Sequence, residues 1–378
     1  MKILFYTEIS PFPVNGGERI RSYGLLKALS DLGHSVKAVI SNEDKISFDD
    51  YQINNVEFIE FKSEKKLWWQ NISLCYYFQQ DKKLIKIFKK IIGENKIDIA
   101  FLDYSFIGQY VNFFHKNKLP VIYGTHNYQS YLTQQRPVEG ILKKIRKWQS
   151  VKIQKLHEHI YFPKAEKLIV VSEKDKEFHS KFVDSNNIHV IPNFLNTRFY
   201  QRKFRKENYF VMTANFSAYM NLYGLKWIVD QVWSNELDKK YSLLIVGKNS
   251  KKALRSIQET KKFKNIIAIG MVDDITSYIG KAKAVLIPLF HGSGTRLKCI
   301  EAMALKTPII STSIGAEGID SEHIIIKDSA DDFRKALLKF EETMVSTEKL
   351  YDDFYNKYSI DAIKPKLKQL ISSIRTES

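Results

Sequence analysis

Residues 290–304 hold the densest chemistry in the sequence: Phe290-His291-Gly292-Ser293-Gly294-Thr295-Arg296-Leu297-Lys298-Cys299-Ile300-Glu301-Ala302-Met303-Ala304. Glycines at 292 and 294 let a ligand approach the backbone, and the N–H groups of a first helical turn favour an anion. Phosphate is the natural guest. Lys298 and Glu301 are three apart, which places them about 60° around and about 4.5 Å along one helix face. Lys298 can then meet a phosphate while Glu301 accepts hydrogen bonds from a ribose diol. A capped helix with an exposed Lys298–Glu301 ion pair explains the same spacing, and spacing alone leaves both readings open. Arg296 points away from Lys298 on a regular helix and joins it only from an irregular first turn.

Other candidates are weaker alone. Asn15-Gly16-Gly17 lies between a first strand and a first helix, where glycines permit close approach to a pyrophosphate or sugar; a plain turn fits equally well. No G-x-G-x-x-G pattern occurs. His126, in Gly124-Thr125-His126-Asn127, follows a strand, and a lone histidine there is more often structural than catalytic. Asn221 reads as a helix N-cap. His157 and His159 are two apart on a helix and diverge, which argues against a metal pair. H-E-x-x-H, Walker A and G-x-S-x-G segments are absent, as is any Asp-x-Asp triplet.

Placing these residues at strand ends requires an alternating chain, and the pattern supplies it. Strands are predicted at Lys2–Thr7, Ser35–Ile40, Val56–Phe61, Asp98–Leu102, Pro120–Gly124, Lys167–Val171 and His189–Ile191. Helical patterns lie between them, clearest over Arg19–Leu32 and Ser105–Lys116. The order restarts with Tyr209–Thr213, Ser242–Val246, Ile266–Ile269, Ala284–Leu289, Pro308–Thr312 and His323–Ile326. The polar, basic segment Pro192–Lys206 reads as the linker. The expectation is an α/β chain of two doubly wound domains, 1–195 and 207–345, with a terminal helical stretch over 346–378 that crosses back to the first. Such sheets bind ligands at the carboxyl ends of their strands, and paired domains put the ligand in the cleft between them.

Composition agrees. The chain has 378 residues, of which 44% are apolar, with only 16 Gly and 9 Pro, so low-complexity and collagen-like architectures are excluded. Two cysteines, Cys75 and Cys299, cannot form a disulfide framework or a multi-cysteine zinc site and fit a reducing compartment. The first residues read as a buried strand rather than a signal peptide, and no run of about 20 apolar residues predicts a membrane span. The net charge of +17 is clustered: residues 61–90 hold eight Lys against two acids, and residues 136–164 hold eight Lys and Arg against two. Trp68, Trp69, Tyr76, Tyr77 and Phe78 interleave the first stretch; Ile141, Leu142, Ile145 and Trp148 the second. Cations mixed with interfacial aromatics suit an anionic membrane surface, with nucleic acid as the competing partner and ordinary solvated helix faces as the plain alternative.

The 292–304 segment resembles the signature of retaining glycosyltransferase family 4, of the GT-B fold, in the subgroup whose helix begins Gly-x-Gly-Thr-Arg-x-Lys and continues Glu-Ala-Met-Ala. Thr307-Pro308-Ile309-Ile310-Ser311-Thr312, Gly315-Ala316-Glu317-Gly318, Ile191-Pro192-Asn193, Gly16-Gly17-Glu18-Arg19, Gly33-His34-Ser35-Val36 and Val246-Gly247 extend the likeness over roughly residues 1–330. One position departs: of two family glutamates eight apart, Glu301 matches the second, and Ser293 stands in place of the first, which in the family contacts the donor sugar.

The resemblance implies two Rossmann-like domains facing a central cleft. It implies donor binding by Gly16, Gly17, Asn215, Gly292, Ser293, Gly294 and Thr295, with Glu301 on the ribose. Met271 and Val272 follow a strand whose end, in relatives, meets the nucleobase through backbone atoms. His126 takes the place of a family histidine near the reacting sugar, and Arg296 and Lys298 complete the catalytic set. The expected function is retaining transfer of a sugar from a nucleotide-diphosphate sugar to a saccharide or lipid-linked acceptor, in bacterial envelope polysaccharide or glycolipid synthesis. The expected protein uses no cofactor and no metal, since the absent Asp-x-Asp triplet removes the usual metal–diphosphate ligand of the other large glycosyltransferase fold. It is expected to be cytoplasmic, peripheral on the inner membrane face, and not a nucleic-acid binder. A sugar-nucleotide epimerase of the same fold is the alternative enzyme, and a non-catalytic basic nucleic-acid binder the alternative from another class.

Overall fold

A computed structural model describes all residues except 15, 42–51, 63–74, 201, 259–262, 293, 344 and 377–378. Asn15, Ser293 and the Trp68–Trp69 part of the first basic stretch therefore lie outside the described residues. The chain forms two compact units, Met1–Asn193 with Ile360–Ser378, and Phe194–Ser359.

The first unit holds seven parallel strands: β1 (Lys2–Thr7), β2 (Ser35–Ser41), β3 (Val56–Phe61), β4 (Ile99–Asp103), β5 (Val121–Gly124), β6 (Lys167–Val170) and β7 (Ile188–Val190). Their order is β3-β2-β1-β4-β5-β6-β7. The central strands are unbroken apolar runs because helices cover both faces; all of β4 and β5 is buried. Tyr6 is packed edge-on by Phe88 and Tyr110 at 5.4 and 5.6 Å, which ties β1 to the covering helices.

The helix predicted over 105–116 is shorter than expected. Buried Tyr123 intervenes: its hydroxyl donates to the Ser105 carbonyl at 3.0 Å and accepts from the Ile107 N–H at 3.1 Å. A 3-10 turn follows at Gly108–Tyr110, and the α-helix covers only Val111–Lys116.

The second unit holds β8 (Tyr209–Thr213), β9 (Ser242–Val246), β10 (Ile266–Gly270), β11 (Ala284–Ile287), β12 (Ile309–Ser311) and β13 (Ile325–Ile326), all parallel, in the order β10-β9-β8-β11-β12-β13. Strand order reverses between β1 and β4 in the first unit and between β8 and β11 in the second. At such switch points the loops leaving neighbouring strands diverge to opposite faces and open a crevice at the carboxyl ends.

The terminal stretch predicted as one helix is two. Thr347–Tyr358 stays with the second unit, Ser359 is extended at φ −80 and ψ 157, and Ile360–Thr376 packs in the first unit against the helix Gly17–Asp31. Lys364 lies 3.8 Å from Asp31 in that contact. Among the described residues, no helix is long and apolar enough to cross a membrane.

Candidate active site

The second unit builds its site at the β8/β11 switch point. The loop 288–296 leaves β11 and feeds the helix Leu297–Ala304, while 214–218 leaves β8 and feeds the helix Tyr219–Trp227. The 288–296 loop packs closely on the second of these helices: a Cβ on Gly224 would lie 2.2 Å from the Pro288 carbonyl oxygen. Gly292 and Gly294 adopt φ +131 and +83, values open to glycine but strained for other residues. Their turn brings the Arg296 guanidinium over Gly292, where a Cβ would sit 2.7 Å from it.

Arg296 precedes the helix, at φ −79 and ψ 96, so it is released from helical geometry as the sequence required. Its Nε donates to the Ile314 carbonyl at 3.1 Å, and a terminal nitrogen lies 3.2 Å from Glu317. The Gly315–Gly318 segment singled out in the sequence is thus what holds Arg296.

Lys298 and Glu301 share the helix face but do not pair with each other. The Lys298 ammonium donates to Asn221 Oδ1 at 2.8 Å, and Glu301 accepts from the Tyr200 hydroxyl at 3.5 Å. Burial lowers the Lys298 ammonium to about 8; nearby Arg296 adds to this and Glu301 opposes it. Burial likewise pushes the Glu301 carboxyl up to about 7, against the pull of Lys298. Both groups can change charge near neutrality.

Asn221 is not the helix N-cap; Ala218 occupies that place. The Asn221 amide instead spans two parts of the site, donating from Nδ2 to the Asn215 carbonyl at 2.9 Å while Oδ1 receives Lys298. Asn215 is exposed, and its side-chain oxygen accepts from the Ser217 N–H at 3.0 Å. Buried Thr295 lies against Gly318. Met271 is exposed and Val272 partly so, directly after β10.

In the first unit, Gly16 stands at φ +84 at the start of the helix Gly17–Asp31, with open space where a side chain would be; Gly17 is exposed beside it. Buried His126 follows β5, its Nε2 3.1 Å from Oδ1 of Asp103, the last residue of β4. Asp103 Oδ2 accepts from the Ser22 hydroxyl at 2.5 Å. Burial would raise the Asp103 carboxyl, but His126, Arg21 and Ser22 outweigh it and hold it below the usual carboxylate range. Buried Arg21 also donates to the carbonyls of Ile191 and Pro192 at 3.1 and 3.2 Å.

Sequence reasoning missed Asp103, Ser22 and Tyr200. A carboxylate closing the apolar run Ile99-Ala100-Phe101-Leu102 was a usable signal; for Tyr200 there was none. His157 and His159 diverge: His157 is buried near Gln109, and His159 is stacked on Phe182 at 4.0 Å. Among the described residues no group of three or more His, Cys, Asp or Glu is placed to hold a metal ion.

Comparison with known families decides the identity. The description "Glycosyltransferase Family 4" matches residues 15–199, and "Glycosyl transferases group 1" matches residues 207–342. The chain belongs to the GT-B glycosyltransferases. Solved structures share the fold of this glycosyltransferase across whole chains. Sucrose-phosphate synthase from Thermosynechococcus elongatus has TM-score 0.77 at 16% identity, with 100% of each chain covered. HepE from Anabaena, solved in complex with UDP, has TM-score 0.68 at 13% identity, covering 99% of this chain and 100% of that one. An uncharacterized 44.6 kDa protein in the cps region of Klebsiella pneumoniae is 23% identical over the full length of both proteins. Sugar transfer is therefore the activity of this glycosyltransferase.

Proposed function

We propose that this glycosyltransferase moves a sugar from a nucleotide-diphosphate sugar to an acceptor hydroxyl with retention at the anomeric carbon, in the synthesis of an envelope polysaccharide or glycolipid. The observation that carries the donor reading is the partly buried Lys298 ammonium beside Arg296, at the start of a helix entered through two left-handed glycines. As the anomeric carbon–oxygen bond breaks, negative charge gathers on the departing diphosphate. Fixed cations and first-turn N–H groups bind that charge more tightly than they bind the intact donor, which lowers the barrier. The acceptor oxygen bonds to the anomeric carbon from the same face, and its proton passes to a donor phosphate oxygen. This route needs no protein nucleophile, and we propose that it proceeds without a metal. Glu301 holds the ribose, Met271 and Val272 border the base through their backbone, and Asn215, Gly16 and Gly17 attend the phosphates. His126 meets the reacting sugar.

Calorimetric titration with UDP, GDP and ADP tests this reading. Binding requires Lys298 protonated and Glu301 ionised, so affinity is expected to peak between about pH 7 and 8. It falls on the acid side as Glu301 takes up a proton and on the alkaline side as Lys298 loses one. No binding of any of the three, or a flat profile from about pH 6 to about pH 9, would remove the donor assignment.

The acceptor side of the proposal rests on the helix Ile141–Tyr161. Ile141, Leu142 and Trp148 are 77%, 83% and 57% exposed, and with Ile145 they recur at helical spacing along one face. Lys143, Lys144, Arg146, Lys147 and Lys152 interleave them, and the Lys152 ammonium lies 3.9 Å from the Trp148 ring. We propose that this face rests on an anionic membrane that carries a lipid-linked acceptor. Sedimentation with phosphatidylglycerol vesicles is expected to exceed that with neutral phosphatidylcholine vesicles, and Trp148→Glu is expected to reduce it several-fold. Equal binding to both vesicle types at moderate salt would count against the membrane role.

A further inference from the structure

We infer that Asp103 and Ser22 are positioning residues that hold the His126 imidazole with Nε2 occupied and Nδ1 turned to the substrate. The inference rests on the reading of His126 as a group that meets the reacting sugar.

Three elements converge to build the arrangement. Asp103 ends β4 and Gly124 ends β5, and the two are register partners in the sheet, so the residues that follow β5 run beside the carboxylate. Gly124 makes the space: a Cβ there would lie 3.0 Å from Asp103 Oδ1, the atom that receives His126. Ser22 reaches the other carboxylate oxygen from the helix Gly17–Asp31, so both oxygens are engaged and the carboxylate plane is set. The Tyr104 ring meets the imidazole edge-on at 5.7 Å and limits its rotation.

The chemistry then follows from which atoms can donate. An ionised carboxylate only accepts, so Nε2 must carry the hydrogen. In the neutral imidazole Nδ1 is left as an acceptor. His126 is 4% exposed, and Nδ1 is buried without a hydrogen-bond partner. A buried polar atom with no partner is costly, and a histidine needed only for packing would not require a carboxylate held on both oxygens. The missing partner is a hydrogen-bond donor, and a sugar hydroxyl can supply one. The second-unit glycine loop and Lys298 recognise phosphate; this group recognises the carbohydrate.

The test is a nitrogen NMR spectrum of the full chain labelled with 15N-histidine, with the His126 signals assigned by their loss in His126→Gln. The expected tautomer carries its hydrogen on Nε2 and leaves Nδ1 bare. Asp103→Asn removes the charge and offers an N–H in place of an acceptor, so the tautomer mixture is expected to shift toward Nδ1–H. Turnover with a UDP-sugar donor is expected to fall at least about tenfold in kcat while the donor KM changes little. Ser22→Ala is expected to show a smaller loss in the same direction. A wild-type imidazole protonated on Nδ1 would overturn the inference, as would an Asp103→Asn protein that folds and keeps both tautomer and kcat. Should Asp103→Asn fail to fold, the wild-type spectrum still decides. That spectrum needs no turnover, so failure of nucleotide binding at Lys298 and failure of this arrangement are separate results.

Discussion

Lys298→Ala is expected to lower kcat by about a hundredfold or more, the scale on which losing one preorganised charge-stabilising group slows a reaction. The ammonium is held before any ligand arrives. Asn221 accepts from it at 2.8 Å, and Asn221 is itself anchored by its bond to the Asn215 carbonyl. Surrounding protein displaces water, which lowers the Lys298 pKa to about 8 but also makes its attraction for a diphosphate stronger than the same charge would exert in solvent. Glu301→Ala is expected to be comparably severe for a different reason. It removes the proposed ribose ligand and strips Lys298 of a nearby carboxylate that favours its charged form. The two losses should separate in kinetics: Lys298→Ala acts mainly on kcat, and Glu301→Ala on both kcat and donor KM. Steady-state rates with a UDP-sugar donor check both, and near-normal rates in both variants would undo the site assignment.

Gly247→Ala carries the largest expected cost to stability. Gly247 follows β9 at φ +128, and a Cβ there would lie 2.0 Å from the Ala214 carbonyl oxygen and 3.0 Å from its carbon. The obstacle is main chain, and it cannot yield, because the Ala214 N–H is bonded to the Val246 carbonyl and the Gly247 N–H to the Gly270 carbonyl. A loss of about 3 kcal/mol or more is expected from overpacking plus backbone strain. Urea unfolding, read as a midpoint shift at constant slope, measures it. Gly93→Ala is the control: it lies in the helix Lys82–Glu94 with nothing near its Cβ position, and a change within about 1 kcal/mol is expected. Equal effects at the two positions would refute the steric account. Asn215 directly follows the displaced Ala214, so weakened nucleotide binding should accompany the lost stability.

Much of the fold was legible because strands buried on both faces must be apolar runs, and in the central strands, such as Ile99–Asp103 and Val121–Gly124, such runs stand out between helical patterns. Boundaries were legible only where local chemistry set them. Tyr123 shortens the helix after β4 from across the sheet, and nothing within 105–116 announces it. The single terminal helix failed at Ser359, a residue that helical patterns tolerate well.

The glycine loop, Lys298 and Glu301 were readable because a short helix start fixes its own neighbours. Sequence by itself therefore determined the two parallel sheets, the family, and the grouping of residues 292–301. Only tertiary structure decided how those groups are used. It paired Lys298 with Asn221 rather than Glu301, gave Arg296 to the Glu317 loop, and set Ser22 and Asp103 behind His126. The physical reason is range. Periodicity and turn chemistry act over a few residues, whereas these contacts join positions 77, 21, 81 and 23 apart, brought together only when parallel strands align their carboxyl ends.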